Sequence, residues 1–248
     1  MTEIRFHDMA DGRRIAFRQT LGAGPALVFL PGYMSDMAGG KATALFADAQ
    51  EKNRACLLFD YSGCGASSGD FADGTLSRWR DEVLELIEAH VDGPVLLVGS
   101  SMGGWLMVLV GERLGKRLAG MVGIASAPDF TEWGRSDADK EKLAAGETVL
   151  DPNPYGPEPT PMHPGFFADG QANLRLDGEI AIDCPVRLLH GMADPDVPWQ
   201  HSLRIAEALR SSDVRIHCVK AGDHRLSEPG DLGLLRATVD ELVQTVGG

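Results

Sequence analysis

Short runs of consecutive apolar residues alternate along this chain with stretches of helical periodicity, and that alternation leaves few folds open. Ala26-Leu27-Val28-Phe29-Leu30, Ala55-Cys56-Leu57-Leu58-Phe59 and Val95-Leu96-Leu97-Val98 carry no charged residue, which suits strands covered on both sides. Residues 41–52, 76–90 and 102–114 have helical spacing; in the second of these Trp79, Val83, Leu86 and Ile87 share one face. Residues 118–125, 186–190 and 214–219 read as further strands, and 202–210 and 231–243 as further helices. At the amino-terminal end, 4–7 and 14–19 read as two strands joined by the Ala10-Asp11-Gly12 turn. The pattern predicts an α/β fold, a mostly parallel sheet with helices on both faces.

One stretch breaks the rhythm. Residues 128–183 are Pro-rich around Asp151-Pro152-Asn153-Pro154-Tyr155-Gly156-Pro157-Glu158-Pro159. A structureless loop of ~50 residues does not suit a compact domain. The expected organisation is therefore a core of 1–127 and 184–248 with an inserted cap at 128–183. Phe130, Trp133, Tyr155, Met162, Phe166 and Phe167 give the cap apolar surface that must pack on something. Trp133, Phe166 and Phe167 are the residues expected to bind the substrate's acyl portion.

The pattern Gly-x-Ser-x-Gly occurs twice, at Gly99-Ser100-Ser101-Met102-Gly103 and at Gly65-Ala66-Ser67-Ser68-Gly69. Context separates them. A nucleophile elbow needs a strand running into the turn and a helix leaving it, with small residues around the strained serine. Pro94-Val95-Leu96-Leu97-Val98 leads into the first match and Trp105-Leu106-Met107-Val108-Leu109-Val110 leaves it. The second match is followed by loop-like Asp70-Phe71-Ala72-Asp73-Gly74. Ser101 is the expected nucleophile, and Ser67 and Ser68 the expected loop serines.

A serine hydroxyl needs a base, and imidazole titrates in the right range. In the chain order nucleophile, acid, histidine, the base comes late: His224 follows the strand at 214–219, in Ala221-Gly222-Asp223-His224-Arg225. His190 ends a strand, His217 lies within one, and His201 starts a helix; structural roles suit these. The acid belongs after the strand at 186–190, where both Asp194 and Asp196 stand, Asp194 nearer the strand end. Its role is to hold the imidazole tautomer and stabilise imidazolium. The oxyanion hole needs two backbone N–H donors. Met102 follows the nucleophile, and Tyr33, with Met34 second, lies in the loop after the strand at 26–30.

These residues resemble a known family. Asp60-Tyr61-Ser62-Gly63-Cys64-Gly65, the elbow, and His190-Gly191 with Asp194 and Val197-Pro198 are similar to the α/β-hydrolases. Pro31-Gly32-Tyr33-Met34-Ser35-Asp36-Met37, Val98-Gly99-Ser100-Ser101-Met102-Gly103-Gly104-Trp105, Arg187-Leu188-Leu189-His190-Gly191-Met192 and Asp223-His224-Arg225 resemble one group within them. That group contains the mitochondrial palmitoyl-protein thioesterase, also described as mycophenolic acid acyl-glucuronide esterase. The resemblance covers nearly the whole chain and is weakest in the cap. It implies an α/β-hydrolase fold, a triad on Ser101, Asp194 and His224, and deacylation of thioesters or activated esters.

The formal net charge of −13 disfavours nucleic acid and anionic membranes as partners. A small-molecule ester or acylated substrate is the expected partner, with no cofactor and no metal. The four cysteines, Cys56, Cys64, Cys184 and Cys218, are expected as buried free thiols. No apolar run is long enough to cross a bilayer, and the first residues have neither a secretory pattern nor the acid-poor, Ser-rich look of a transit peptide; a cytoplasmic protein is expected. The expected activity is a serine esterase or thioesterase working through an acyl-enzyme. A peptidase or acyltransferase on the same triad is the second reading, and a non-catalytic ligand-binding pseudo-hydrolase the third.

Overall fold

The amino-terminal strands, β1 (Arg5–Asp8) and β2 (Arg14–Thr20), pair antiparallel as a hairpin in a computed structural model that describes residues 3–154 and 156–247. Tyr155 of the expected cap lies outside the described residues. Next come β3 (Ala23–Leu30), α1 (Gly40–Glu51), β4 (Arg54–Phe59), α2 (Leu76–His90), β5 (Val95–Ser100), α3 (Met102–Leu114) and β6 (Leu118–Ile124). The interruption holds α4 (Phe130–Trp133), α5 (Asp137–Ala144), β7 (Val149–Asp151), β8 (Thr160–Met162) and α6 (Pro164–Ala172). The alternation then resumes with β9 (Val186–Gly191), α7 (His201–Ala208), β10 (Val214–Val219) and α8 (Pro229–Val246).

Eight strands make one sheet in the order β1-β2-β4-β3-β5-β6-β9-β10, and β7 pairs with β8 apart from it. From β4 to β10 every neighbouring pair is parallel; β2 meets β4 antiparallel. This is the mostly parallel sheet that the alternation predicts. Successive side chains of a strand point to opposite faces, so each apolar run feeds two cores. Ala26, Val28 and Leu30 of β3 join Trp79, Leu86, Trp105 and Leu109 on one face. Leu27 and Phe29 join Leu45, Ala49, Val239 and Leu242 on the other. Helices α2 and α3 therefore cover one side, and α1 and α8 the other.

The interrupting segment is tied at both ends. Asp129, φ 60° and buried, accepts at its carboxylate from Arg175 N at 2.9 Å and Leu176 N at 2.7 Å. Between these points Phe130 and Phe166 pack with Tyr33, the Tyr33–Phe166 ring centroids 4.8 Å apart. Among the described residues no helix is long and apolar enough to cross a membrane. Cys56 and Cys64 are buried as expected, Cys184 only partly, and Cys218 is exposed. The correction for Cys218 has a simple cause: β10 is the sheet's edge strand and is only half covered.

Candidate active site

Strand β5 runs straight into Ser101, which has φ 55° and ψ −120° before α3 begins at Met102. A non-glycine residue in that region is strained by roughly 1–3 kcal/mol and persists only where its surroundings hold it. Here Ser101 N donates to Ile124 O at 2.9 Å, and Ser101 O accepts from Gly104 N at 2.8 Å and Ala127 N at 3.0 Å. The turn also needs room: a Cβ on Gly103 would fall on the Leu30 carbonyl oxygen. The elbow thus presses the start of α3 against the end of β3, and β3 continues into the loop that carries Tyr33.

His224 and Asp194 arrive from the two loops beyond β9 and β10. Met192 N donates to Val219 O at 2.8 Å and Ala193 N to Gly222 O at 3.0 Å, so the loops are laced together. The Asp194 Oδ2 atom lies 2.9 Å from His224 Nδ1, and His224 Nε2 lies 3.1 Å from Ser101 Oγ. A carboxylate only accepts, so the proton sits on Nδ1 and Nε2 is free to accept from the serine hydroxyl. The structure thereby brings Ser101, His224 and Asp194 into one hydrogen-bonded line. Asp196, the alternative acid, instead donates its backbone N–H to Asp194 Oδ1 at 2.8 Å, beside Val197 N at 2.9 Å. Burial pushes the Asp194 pKa up; hydrogen bonds from His190 and His224, the His224 charge and the Val197 N–H outweigh it and hold the carboxyl well below the usual range.

The Met102 N–H opens α3, where no intrahelical acceptor exists. Among the described residues neither it nor the Tyr33 N–H has a hydrogen-bond acceptor. The Tyr33 loop lies close to the nucleophile; a Cβ on Gly32 would sit 3.5 Å from Ser101 Cβ. Met34, the second candidate, is exposed at φ 53°. The decoy serines are engaged elsewhere: Ser67 Oγ accepts from Ala16 N at 2.8 Å and donates to Asp60 O at 2.7 Å, and Ser68 Oγ accepts from Arg14 N at 2.7 Å.

A cavity of about 510 Å³ opens beside Ser101 and His224, within the usual range for small-molecule sites. Its walls include Tyr33, Met34, Lys41, Arg225 and, from the Pro-rich stretch, Asn153 and Pro154. The expected acyl-binding residues are not among them. Phe166 and Phe167 are buried, Phe166 against Tyr33, Trp79 and Phe130, and Trp133 stacks on His201 at 4.1 Å. That corrects the expectation: rings this apolar gain more from the core than from a wet cavity wall. Lys41 and Arg225 were missed as wall residues because Lys41 lies in no motif and Arg225 stands out only as the neighbour of His224. Burial and the Arg225 charge lower the Lys41 pKa to about 8, against Asp223 and Asp231; Lys41 Nζ donates to Arg225 O. Among the described residues the one group with ligand atoms close enough for a metal ion is Asp194, Asp196 and His224. There His224 Nδ1 already donates to Asp194, so the donor set suits a proton rather than a cation.

Residues 27–232 match the model of a family described as the alpha/beta hydrolase family. A human protein named palmitoyl-protein thioesterase ABHD10, mitochondrial, is 35 % identical over 246 residues, 98 % of this chain and 80 % of that one. The rat protein of that name is 38 % identical over 247 residues, 98 % of this chain and 83 % of that one. Among solved structures, alpha/beta hydrolase domain-containing protein 10 from mouse superposes with a TM-score of 0.91 at 34 % identity, covering 98 % of this chain and 99 % of that one. A protein from Agrobacterium vitis gives 0.90 at 38 % identity, covering 98 % of each. The human and rat relatives are named as mitochondrial, and that overturns the cytoplasmic expectation. The expectation rested on the composition of a few amino-terminal residues and on the lack of a bilayer-length apolar run, and neither decides the compartment.

Proposed function

The chain belongs to the α/β-hydrolase family and is a hydrolase, and from that premise we propose that it cleaves carboxylic esters or acyl thioesters through Ser101, His224 and Asp194. The observation that carries this reading is the 3.1 Å approach of Ser101 Oγ to His224 Nε2 at a strained strand-to-helix turn.

In the proposed cycle Ser101 Oγ attacks the acyl carbonyl while His224 Nε2 takes the hydroxyl proton. The tetrahedral oxyanion accepts hydrogen bonds from the Met102 and Tyr33 N–H groups. Collapse expels the alcohol or thiol, which receives the proton from His224, and leaves the acyl group on Ser101. Water then attacks this ester, giving its proton to His224; the acid leaves and Ser101 recovers the proton. Asp194 stays ionised throughout and offsets the charge on the imidazolium. A thiolate or activated alkoxide leaves more readily than an amine, which favours ester and thioester substrates over peptides. The relatives named as palmitoyl-protein thioesterases support a long acyl chain as part of the same reading. Residues 128–183 act as the cap, with the Pro-rich stretch forming one side of the acyl cavity.

The test is labelling with a fluorophosphonate, weighed by mass spectrometry, beside a chain-length panel of acyl thioesters and esters. One adduct, abolished by Ser101→Ala, with hydrolysis of the panel, is the expected result. Undiminished labelling or turnover in Ser101→Ala would sink the proposal.

A further inference from the structure

A second histidine touches the candidate acid. His190 is the residue before the last of β9, and its side chain is wholly buried. Its Nε2 lies 3.0 Å from Val197 O and 3.3 Å from Asp194 Oδ2. Both neighbours only accept, so Nε2 carries a proton, bonded chiefly to the carbonyl and with its positive end also toward the carboxylate. On the other side of the ring Nδ1 lies 2.7 Å from Ser202 Oγ, itself buried; the hydroxyl donates to Nδ1 of the neutral ring and fixes its orientation. The same Asp194 Oδ2 takes the His224 Nδ1–H. Asp194 therefore stands between two imidazoles.

We propose that His190 is a positioning residue for this site, setting both the orientation of Asp194 and how strongly Asp194 holds the proton on His224; this rests on the triad reading above. The N–H of His190 stabilises the ionised carboxylate and draws on the oxygen that His224 uses. With that donor removed, Oδ2 serves His224 alone, imidazolium becomes more stable, and the neutral base is reached only at higher pH. The titratable groups facing His190 are Asp194 from the β9–α7 loop, His201 from α7, Cys218 as its register partner on β10, and His224 through Asp194.

The experiment is the pH profile of kcat/KM on a p-nitrophenyl ester. His190→Leu is expected to lower kcat by about 10- to 100-fold with little change in KM, and to move the acid limb upward by about half a pH unit. His190→Gln, whose amide N–H reaches the Nε2 position, is expected to bring the limb back. A folded His190→Leu with the wild-type limb overturns the proposal, whatever its rate, because loss of packing alone lowers activity equally at every pH. Where His190→Leu does not fold, wild-type protein with 15N-labelled histidines decides: the His190 ring shifts should follow the titration of His224, and shifts indifferent to it overturn the proposal. Ser101→Ala is assayed alongside. If that variant keeps its activity, the triad reading itself has failed; if it is inactive, the His190 results bear on His190.

Discussion

Gly191 and Gly222 meet so closely that a Cβ on Gly191 would overlap the Gly222 carbonyl. This contact sets the spacing of the two loops that deliver Asp194 and His224. Gly191→Ala must push them apart. An overpacked site typically costs about 1–3 kcal/mol, and a displacement near 1 Å at reacting groups can cost about 100-fold in rate. The expected variant is folded, melts several degrees lower, and has lost kcat far out of proportion to its stability. Retained kcat would mean that the loops are set by something else.

The environments of the two serine motifs make opposite predictions. Ser101→Ala should abolish fluorophosphonate labelling and leave only the residual catalysis that binding and oxyanion donors supply, a loss of roughly 10⁴-fold or more. Ser67→Ala should label as wild type. It should lose about 1 kcal/mol of stability, because Ser67 Oγ bridges Ala16 N and Asp60 O. Thermal melts and intact-mass labelling read both.

Phe166 is 1 % exposed and sits in the aromatic cluster that joins the interrupting segment to α2 and the Tyr33 loop. Truncating a buried phenylalanine costs about 3–5 kcal/mol. Phe166→Ala should therefore lower Tm steeply while leaving the chain-length dependence of kcat/KM unchanged. A changed chain-length preference in a folded variant would return Phe166 to the acyl site.

What was legible in the sequence was local or periodic. The helix expected at 76–90 is α2, Leu76–His90, because Trp79, Val83, Leu86 and Ile87 mark one face by themselves. The elbow was legible because a strand, a glycine pair and a helix adjoin in the chain, and the strained φ of Ser101 is the consequence. The choice between Asp194 and Asp196 was not decided by spacing; the bonds from the Asp196 and Val197 N–H groups to Asp194 Oδ1 turn the first carboxylate inward. Of the cavity wall, Tyr33 and Met34 were legible beside the nucleophile, but its charged residues were not. Lys41 from α1 and Arg225 from the His224 loop are 184 positions apart and meet only through tertiary packing. For the apolar residues of the interruption, sequence shows hydrophobicity but not which side of a segment finds the core, so a buried face and a binding surface look alike.

Asp194→Asn should leave the geometry nearly intact yet reduce kcat by up to about 10⁴-fold, since an amide cannot stabilise imidazolium and can favour the wrong tautomer. The same carboxylate has a folded pKa below its unfolded one. Its contribution to stability is thus complete above about pH 4 and is lost as the pH falls toward the folded value. Melting curves of Asp194→Asn should decline less steeply than those of the wild type below about pH 4. Parallel declines would show that the hydrogen bonds to Asp194 do not favour its ionised form.

His201 supplies a second and separable pH dependence. Burial, helped by the charge of Arg204, lowers its pKa to about 4. Its ring stacks on Trp133 at 4.1 Å, and among the described residues its Nδ1 has no hydrogen-bond partner. An unfolded histidine titrates near 6.5, so between about pH 4 and 6.5 the unfolded chain binds the extra proton and the folded one does not. Stability from this residue is therefore full above about pH 6.5 and is lost as the pH falls toward 4, by an amount on the order of 1–3 kcal/mol. His201→Phe keeps a ring over Trp133 and removes the titration. Its Tm should match or exceed the wild type at pH 7, and the gap in its favour should widen down to about pH 4. Since the stack joins α4 of the interrupting segment to α7, protease sensitivity in that segment should follow the same pH course in the wild type and be flattened in His201→Phe. Equal steepness of the two melting profiles between pH 6.5 and 4 would show that His201 does not titrate in this window.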